Sequence, residues 1–83
     1  MRRLSRLERL VLEVLVDNGA PMLRAEISRA LNYTVSRYQI KEACEVLYWR
    51  LYCERVLHYP YSYSRSFYAL REKGLTVLED TEQ

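Results

Sequence analysis

Arg55-Val56-Leu57-His58-Tyr59-Pro60-Tyr61-Ser62-Tyr63-Ser64-Arg65-Ser66-Phe67-Tyr68-Ala69-Leu70 decides how this 83-residue chain folds. Both ends of the stretch are rich in β-branched or aromatic side chains, which suit a pleated, half-buried surface. The pattern predicts strands over 55–60 and 66–70. Between them, residues 61–65 read as a five-residue hairpin loop. Pro60 has no N–H to give to a ladder, so it belongs at the edge or the end of a strand.

The hairpin follows directly on the longest helical pattern, 36–53, where Ile40, Ala43, Leu47 and Leu51 form one stripe with Cys44 alongside. Tyr48, Trp49 and Tyr52 spread around the rest of that helix, an aromatic face suited to a partner or to cover from a neighbouring element. Ser36 or Thr34 can cap its start with a side-chain oxygen. Upstream, 32–35 reads as a turn and 23–31 as a short helix with Ile27, Ala30 and Leu31 inward and Arg24 and Arg29 outside. A first helix over 4–17 carries Leu4, Leu7, Leu10, Val11, Val14 and Leu15 on one stripe. Asn18-Gly19 ends it, since both tolerate the left-handed conformation of helix ends, and Pro21 forces a short extended stretch. After the hairpin, 71–80 predicts a last helix with Leu75 and Leu78 inward, and 80–83 a frayed tail.

Eighty-three residues hold one core, so 1–83 is expected to be a single domain. Its net charge of +2 identifies no partner, but the distribution is uneven. Arg2, Arg3, Arg6 and Arg9 cluster at the start, as an arm or as a solvated helix face. Arg24, Arg29, Arg37 and Lys41 make a second basic stretch, and Arg55, Arg65 and Arg71 a third. Cys44 and Cys53 fall in or at the end of one expected helix, nine residues apart. At ~1.5 Å per residue that is roughly 13 Å along the axis, beyond the about 7 Å between Cα atoms that a disulfide permits. Two packed thiols are expected, with an intermolecular bridge as the alternative, and two Cys with one His do not make the usual four-ligand zinc site. No stretch approaches the roughly 20 apolar residues of a membrane span. Arg6, Glu8, Arg9 and Glu13 interrupt any signal-peptide core, so a cytoplasmic location with no membrane partner is expected.

The order helix, helix, turn, helix, hairpin, helix defines a mainly α, α+β class of fold. Two helices joined by a tight turn make a helix-turn-helix, and a hairpin straight after the longer helix makes a wing. In this the chain resembles the small winged-helix transcription regulators of the MarR, ArsR and PadR type, and it is similar at this size to winged-helix proteins of archaea and their viruses. The resemblance covers nearly the whole chain. It includes Ile40, Ala43, Leu47 and Leu51 running into Val56-Leu57. Its sharpest piece is Tyr68-Ala69-Leu70-Arg71-Glu72-Lys73-Gly74, similar to the family's second wing strand and turn, usually Tyr-x-Leu-Thr-x-x-Gly. The chain departs from that pattern at Arg71, where a Thr would cap the last helix. The resemblance implies sequence-specific binding of double-stranded DNA, a recognition helix at about 36–53 and a wing at about 55–70.

The major groove, roughly 12 Å wide, admits one helix. Ser36, Arg37, Tyr38, Gln39 and Lys41 stand on the leading turns of the expected recognition helix. Arg37 can address guanine and Gln39 adenine, or either can touch phosphate. Arg24 opens the second helix and suits a phosphate clamp. Tyr33 and Thr34 can donate to phosphate from the turn, unless Tyr33 plugs the core. Arg65 suits the narrow minor groove, and Tyr61 and Tyr63 can lie along the backbone or pack on the wing's own strands. His58 reads as a strand residue, not a ligand. One such module offers a limited surface to DNA, so a homodimer is expected, through the first helix or the Tyr48, Trp49 and Tyr52 surface. Two other functions fit the pattern. One is a winged helix for protein–protein contact in a polymerase, replication or partition assembly, and the other is single-strand binding through stacked tyrosines. Enzymatic function is least expected. With one His and glycines only at 19 and 74, the chain has no phosphate loop or metal cluster, and it points to no cofactor or small-molecule ligand. Glu42 and Glu45 have no evident pocket.

Overall fold

The computed structural model describes residues 4–58 and 62–81, with side chains described over 4–55 and 67–80. Along the chain come α1 (Arg6–Asn18), β1 (Met22–Leu23), α2 (Arg24–Ala30), α3 (Arg37–Trp49), β2 (Cys53–His58), β3 (Ser62–Leu70) and α4 (Glu72–Thr81). The three strands form one antiparallel sheet in the order β1-β3-β2. This is the expected α+β winged helix-turn-helix, with α2 and α3 as the paired helices and β2–β3 as the wing.

The first helix starts where its chemistry dictates. Ser5 accepts from the Glu8 N–H at 3.1 Å, and Glu8 accepts from the Ser5 N–H at 3.0 Å. That reciprocal pair meets two of the donors a helix start leaves unmatched, and it explains how Glu8 is buried without being stranded. At the other end Gly19 turns left-handed at φ 70° and donates to the Leu15 carbonyl. Val11, Leu12 and Leu15 form the buried stripe, with Leu4, Leu7 and Val14 half-covered around them. Leu12 was outside the expected stripe. It belongs inside because α1 packs on α3 and α4 together, so its apolar face is wider than one row.

The largest differences from the sequence expectation lie at the end of α3, in the wing and at β1. The third helix ends at Trp49, not at 53. There Leu51 takes φ 65°, its N–H donates to Tyr48 and the Tyr52 N–H reaches back to the Leu47 carbonyl at 2.9 Å. This is a helix-terminating bond pair that usually recruits glycine, so nothing in the sequence announced it. Cys53 consequently opens β2 instead of closing a helix. The first wing strand keeps its expected length but lies two residues earlier, and the second starts at Ser62, which stands opposite His58. Residues 62–65 therefore belong to β3 and not to a loop. The strand β1 is a two-residue element, and Met22 and Leu23 pair with Tyr68 and Phe67.

The core joins Ile27 of α2, Ile40, Ala43, Cys44 and Leu47 of α3, Tyr52 and Cys53 beyond it, Tyr68 of β3, and Val77 and Leu78 of α4. In α4 the inward pair is therefore Val77 and Leu78. Leu75 is 37% exposed and lines a shallow groove with Leu15, Val16 and Leu70. Ala30 is likewise exposed. Tyr52, expected on the aromatic surface, is in the core. Among the described residues, no helix is long and apolar enough to cross a membrane.

Both cysteines are free and buried, as expected, though not for the expected reason, since they do not share a helix. Burial pushes the Cys44 thiol up from its ordinary value near 9 to about 12, with the Cys53 thiol adding to the effect. Burial alone lifts Cys53 to about 12. The reactive species is the thiolate, so both sulfurs are expected to be inert toward an aromatic disulfide reagent at pH 7 in the native chain. Both should react at once in denaturant. Because the folded values lie above the unfolded one, this contribution to stability is complete below pH 9 and fades as pH rises toward 12. A urea midpoint that falls through that alkaline window checks the sign.

Candidate nucleic-acid interface

Ser36 sets the start of α3. Its hydroxyl accepts from the Gln39 N–H at 3.1 Å while the Gln39 side-chain carbonyl accepts from the Ser36 N–H at 3.2 Å. Gln39, a candidate base contact, thus has its oxygen engaged in holding the helix start. Arg37, Tyr38 and Lys41 follow on the exposed first turns.

Antiparallel pairing of β1 with β3 fixes where α2 begins, and Arg24 is its first residue. Glu26 reaches back to accept from the Leu23 N–H at 2.9 Å, which anchors that end. Packing of α2 on α3 then brings Arg24, Arg37 and Lys41 around one groove of ≈ 380 Å³, with Ala25, Ser28, Tyr38 and Ile40 completing its lining. Three cations from two helices thus border one surface depression, the arrangement that concentrates a positive field where an anion can enter. Sequence inspection missed Ser28. It lies one turn after Arg24 on the same helix face, a spacing that could have revealed it.

Tyr38 is 66% exposed, and its hydroxyl donates to the Glu42 carboxylate. That hydrogen bond, with the Glu42 charge next, raises its pKa, so the phenol stays protonated. An acid beside Tyr38 disfavours phosphate on that flank and leaves the arginine side as the favoured approach.

Between the helices the chain turns through Asn32 and Tyr33, both at φ 56°. The Thr34 hydroxyl donates to the Leu31 carbonyl at 2.7 Å. Tyr33 is 69% exposed, so it does not plug the core. Tyr61 lies outside the described residues, and so do the side chains of Tyr63 and Arg65, although Tyr63 and Arg65 are strand residues of β3.

Arg55, part of the third basic stretch, is structural. It stands opposite Tyr68 in the sheet, donates to the Tyr68 hydroxyl, and places its guanidinium 4.4 Å over the Tyr48 ring. Burial raises the Tyr68 pKa, and the Arg55 hydrogen bond offsets part of the rise. Beyond Tyr48 lies an exposed apolar surface. Trp49 is 77% exposed and meets the Tyr48 ring edge-on at 5.8 Å, and Leu51 is 50% exposed.

Among solved structures, the reduced form of the transcriptional regulator YodB from B. subtilis is similar, with a TM-score of 0.75. What the two share is the fold. The match covers 94% of this chain and 72% of that one at 24% identity. No protein-family model matches the chain, and no curated protein matches it.

Proposed function

We propose that this chain binds double-stranded DNA, as a transcriptional regulator and not as an enzyme, with α3 presented to the major groove and the β2–β3 wing to the neighbouring backbone. The observation that carries the proposal is the groove between α2 and α3, where Arg24, Arg37 and Lys41 meet. Arg24 is assigned to phosphate, Arg37 to a base edge or phosphate, and Lys41 to phosphate. Ser36, Tyr38 and Gln39 shape the leading edge, Tyr33 and Thr34 flank it, and Tyr61, Tyr63 and Arg65 are the wing's contribution. The likeness in fold to a protein described as a transcriptional regulator supports the same assignment.

Fluorescence anisotropy with random duplex DNA tests it. Binding is expected to weaken steeply with salt, because each neutralised phosphate releases counterion, with a log–log slope of about −0.9 per contact. Binding without a salt slope, or stronger binding to single strands, would reject the assignment.

A second function is favoured by Trp49, Leu51 and the edge of Tyr48, an apolar surface at the end of α3 remote from Ser36. We assign it to contact between protein chains, as a homodimer, since operators usually pair two modules about one helical turn apart. Sedimentation showing a strict monomer at high micromolar concentration would remove the homodimer.

A further inference from the structure

Four described residues take a left-handed backbone: Gly19, Asn32, Tyr33 and Leu51. Three of them end helices. Gly19 closes α1 and Leu51 closes α3. Asn32 closes α2, its N–H donating to Arg29 while the Tyr33 N–H reaches the Ser28 carbonyl at 3.0 Å. One left-handed residue completes that bond pattern. Tyr33 is a second in succession, and a bulky side chain there is disfavoured roughly tenfold against ordinary helical backbone.

Among the described residues, no packing of the Tyr33 ring offsets that penalty. The bonds of the turn are made by backbone groups and by the Thr34 hydroxyl, so any residue at 33 would keep them. The ring is 69% exposed and outside the buried cluster. The same molecule uses glycine at the end of α1, where the backbone has the same sign of φ. A strained backbone under an exposed ring, at the turn joining the two helices of the cationic groove, points to a contact outside the chain.

We propose that Tyr33 is a DNA contact for which the fold gives up stability, its hydroxyl donating to a phosphate of the duplex beside the Arg24–Arg37–Lys41 groove. This rests on the DNA-binding assignment above and deepens it. The contact is neutral. It adds affinity without releasing a counterion, unlike the three cations.

Thermal melting and duplex anisotropy at several salt concentrations test this on the full chain. Tyr33→Gly and Tyr33→Asn are compared with Asn32→Gly, which eases the neighbouring left-handed residue and keeps the ring. The Tyr33→Asn chain is expected to melt about 2–6 °C higher. Both Tyr33 variants should bind duplex about 5–20-fold more weakly with an unchanged salt slope, and Asn32→Gly should bind within about twofold of the parent. Tyr33 variants that bind like the parent would overturn the role of Tyr33 alone. So would a Tyr33→Asn chain that melts lower, because the ring would then serve the fold. A parent chain that binds no duplex would overturn the DNA-binding assignment, and this inference with it.

Discussion

Changing Arg24, Arg37 and Lys41 together to alanine is expected to weaken duplex binding by about 100- to 1,000-fold, or about 3–4 kcal/mol at 1.4 kcal/mol per tenfold. Each cation contributes through a separate contact. A phosphate contact releases about 0.9 counterion, so losing three should flatten the log–log salt slope by roughly 2–3. If Arg37 reaches a base edge, its share is larger, about 1–3 kcal/mol, and falls on particular sequences. The fold should hardly notice. All three side chains border a surface groove and none belongs to the buried cluster, and surface changes of this kind usually stay within about 0.5 kcal/mol each. Anisotropy at three salt concentrations, with circular dichroism as the control for folding, gives the answer. Near-parental affinity at low salt would move the interface away from α2 and α3. A loss confined to the single variant Arg37→Ala and to some sequences would mark that residue as the base reader.

Gly74→Ala is expected to be the most damaging conservative change in the chain, costing about 2–4 kcal/mol by the usual scale of overpacking. Helix propensity alone predicts the opposite sign, a gain of about 1 kcal/mol for replacing a helical glycine. Space decides the sign. A methyl group at Gly74 would run into the Tyr52 carbonyl oxygen and press Leu70 Cδ1 at 3.1 Å. The Tyr52 carbonyl cannot retreat freely, because it accepts the Arg71 N–H at 3.1 Å while the Tyr52 N–H is held by Leu47 at 2.9 Å. With total stability for a domain of this size at about 5–15 kcal/mol, the loss corresponds to a fall in Tm of roughly 10–25 °C. Thermal melting measures it. A variant that melts at or above the parental temperature would mean that α4 does not lie against that carbonyl.

How far the sequence could foretell this architecture follows from the kind of signal each element leaves. The α1 stripe and its Gly19 stop were readable, because periodicity and a left-handed glycine are local. The start of α1 carries a mark as well, which the expected helix over 4–17 did not use. Ser5 and Glu8 stand at the spacing of a reciprocal cap, as do Ser36 and Gln39, and that spacing also explains a buried acid in an apolar stripe. The end of α3 left no such mark. Leu51 occupies a position that glycine usually fills, so the apolar repeat runs past the true end and draws Tyr52 and Cys53 into the wrong element. The strand β1 left none either, since two residues carry no periodicity and only the pairing with β3 makes them a strand. In the candidate interface, the grouping of Arg24 with Arg37 and Lys41 depended on how α2 packs on α3, a tertiary fact. Arg55 looked like one more surface cation, and only its cross-strand place opposite Tyr68 shows it to be structural.

Cys44 and Cys53 are the chain's only cysteines, and both are sealed in the core. The native protein therefore offers a blank chemical background. A single Glu79→Cys or Ala30→Cys change, each at an exposed position, would supply one addressable sulfur for a spin or fluorescent tag. Spacing between copies and movement of the α2–α3 turn on a duplex could then be followed without first deleting either native thiol.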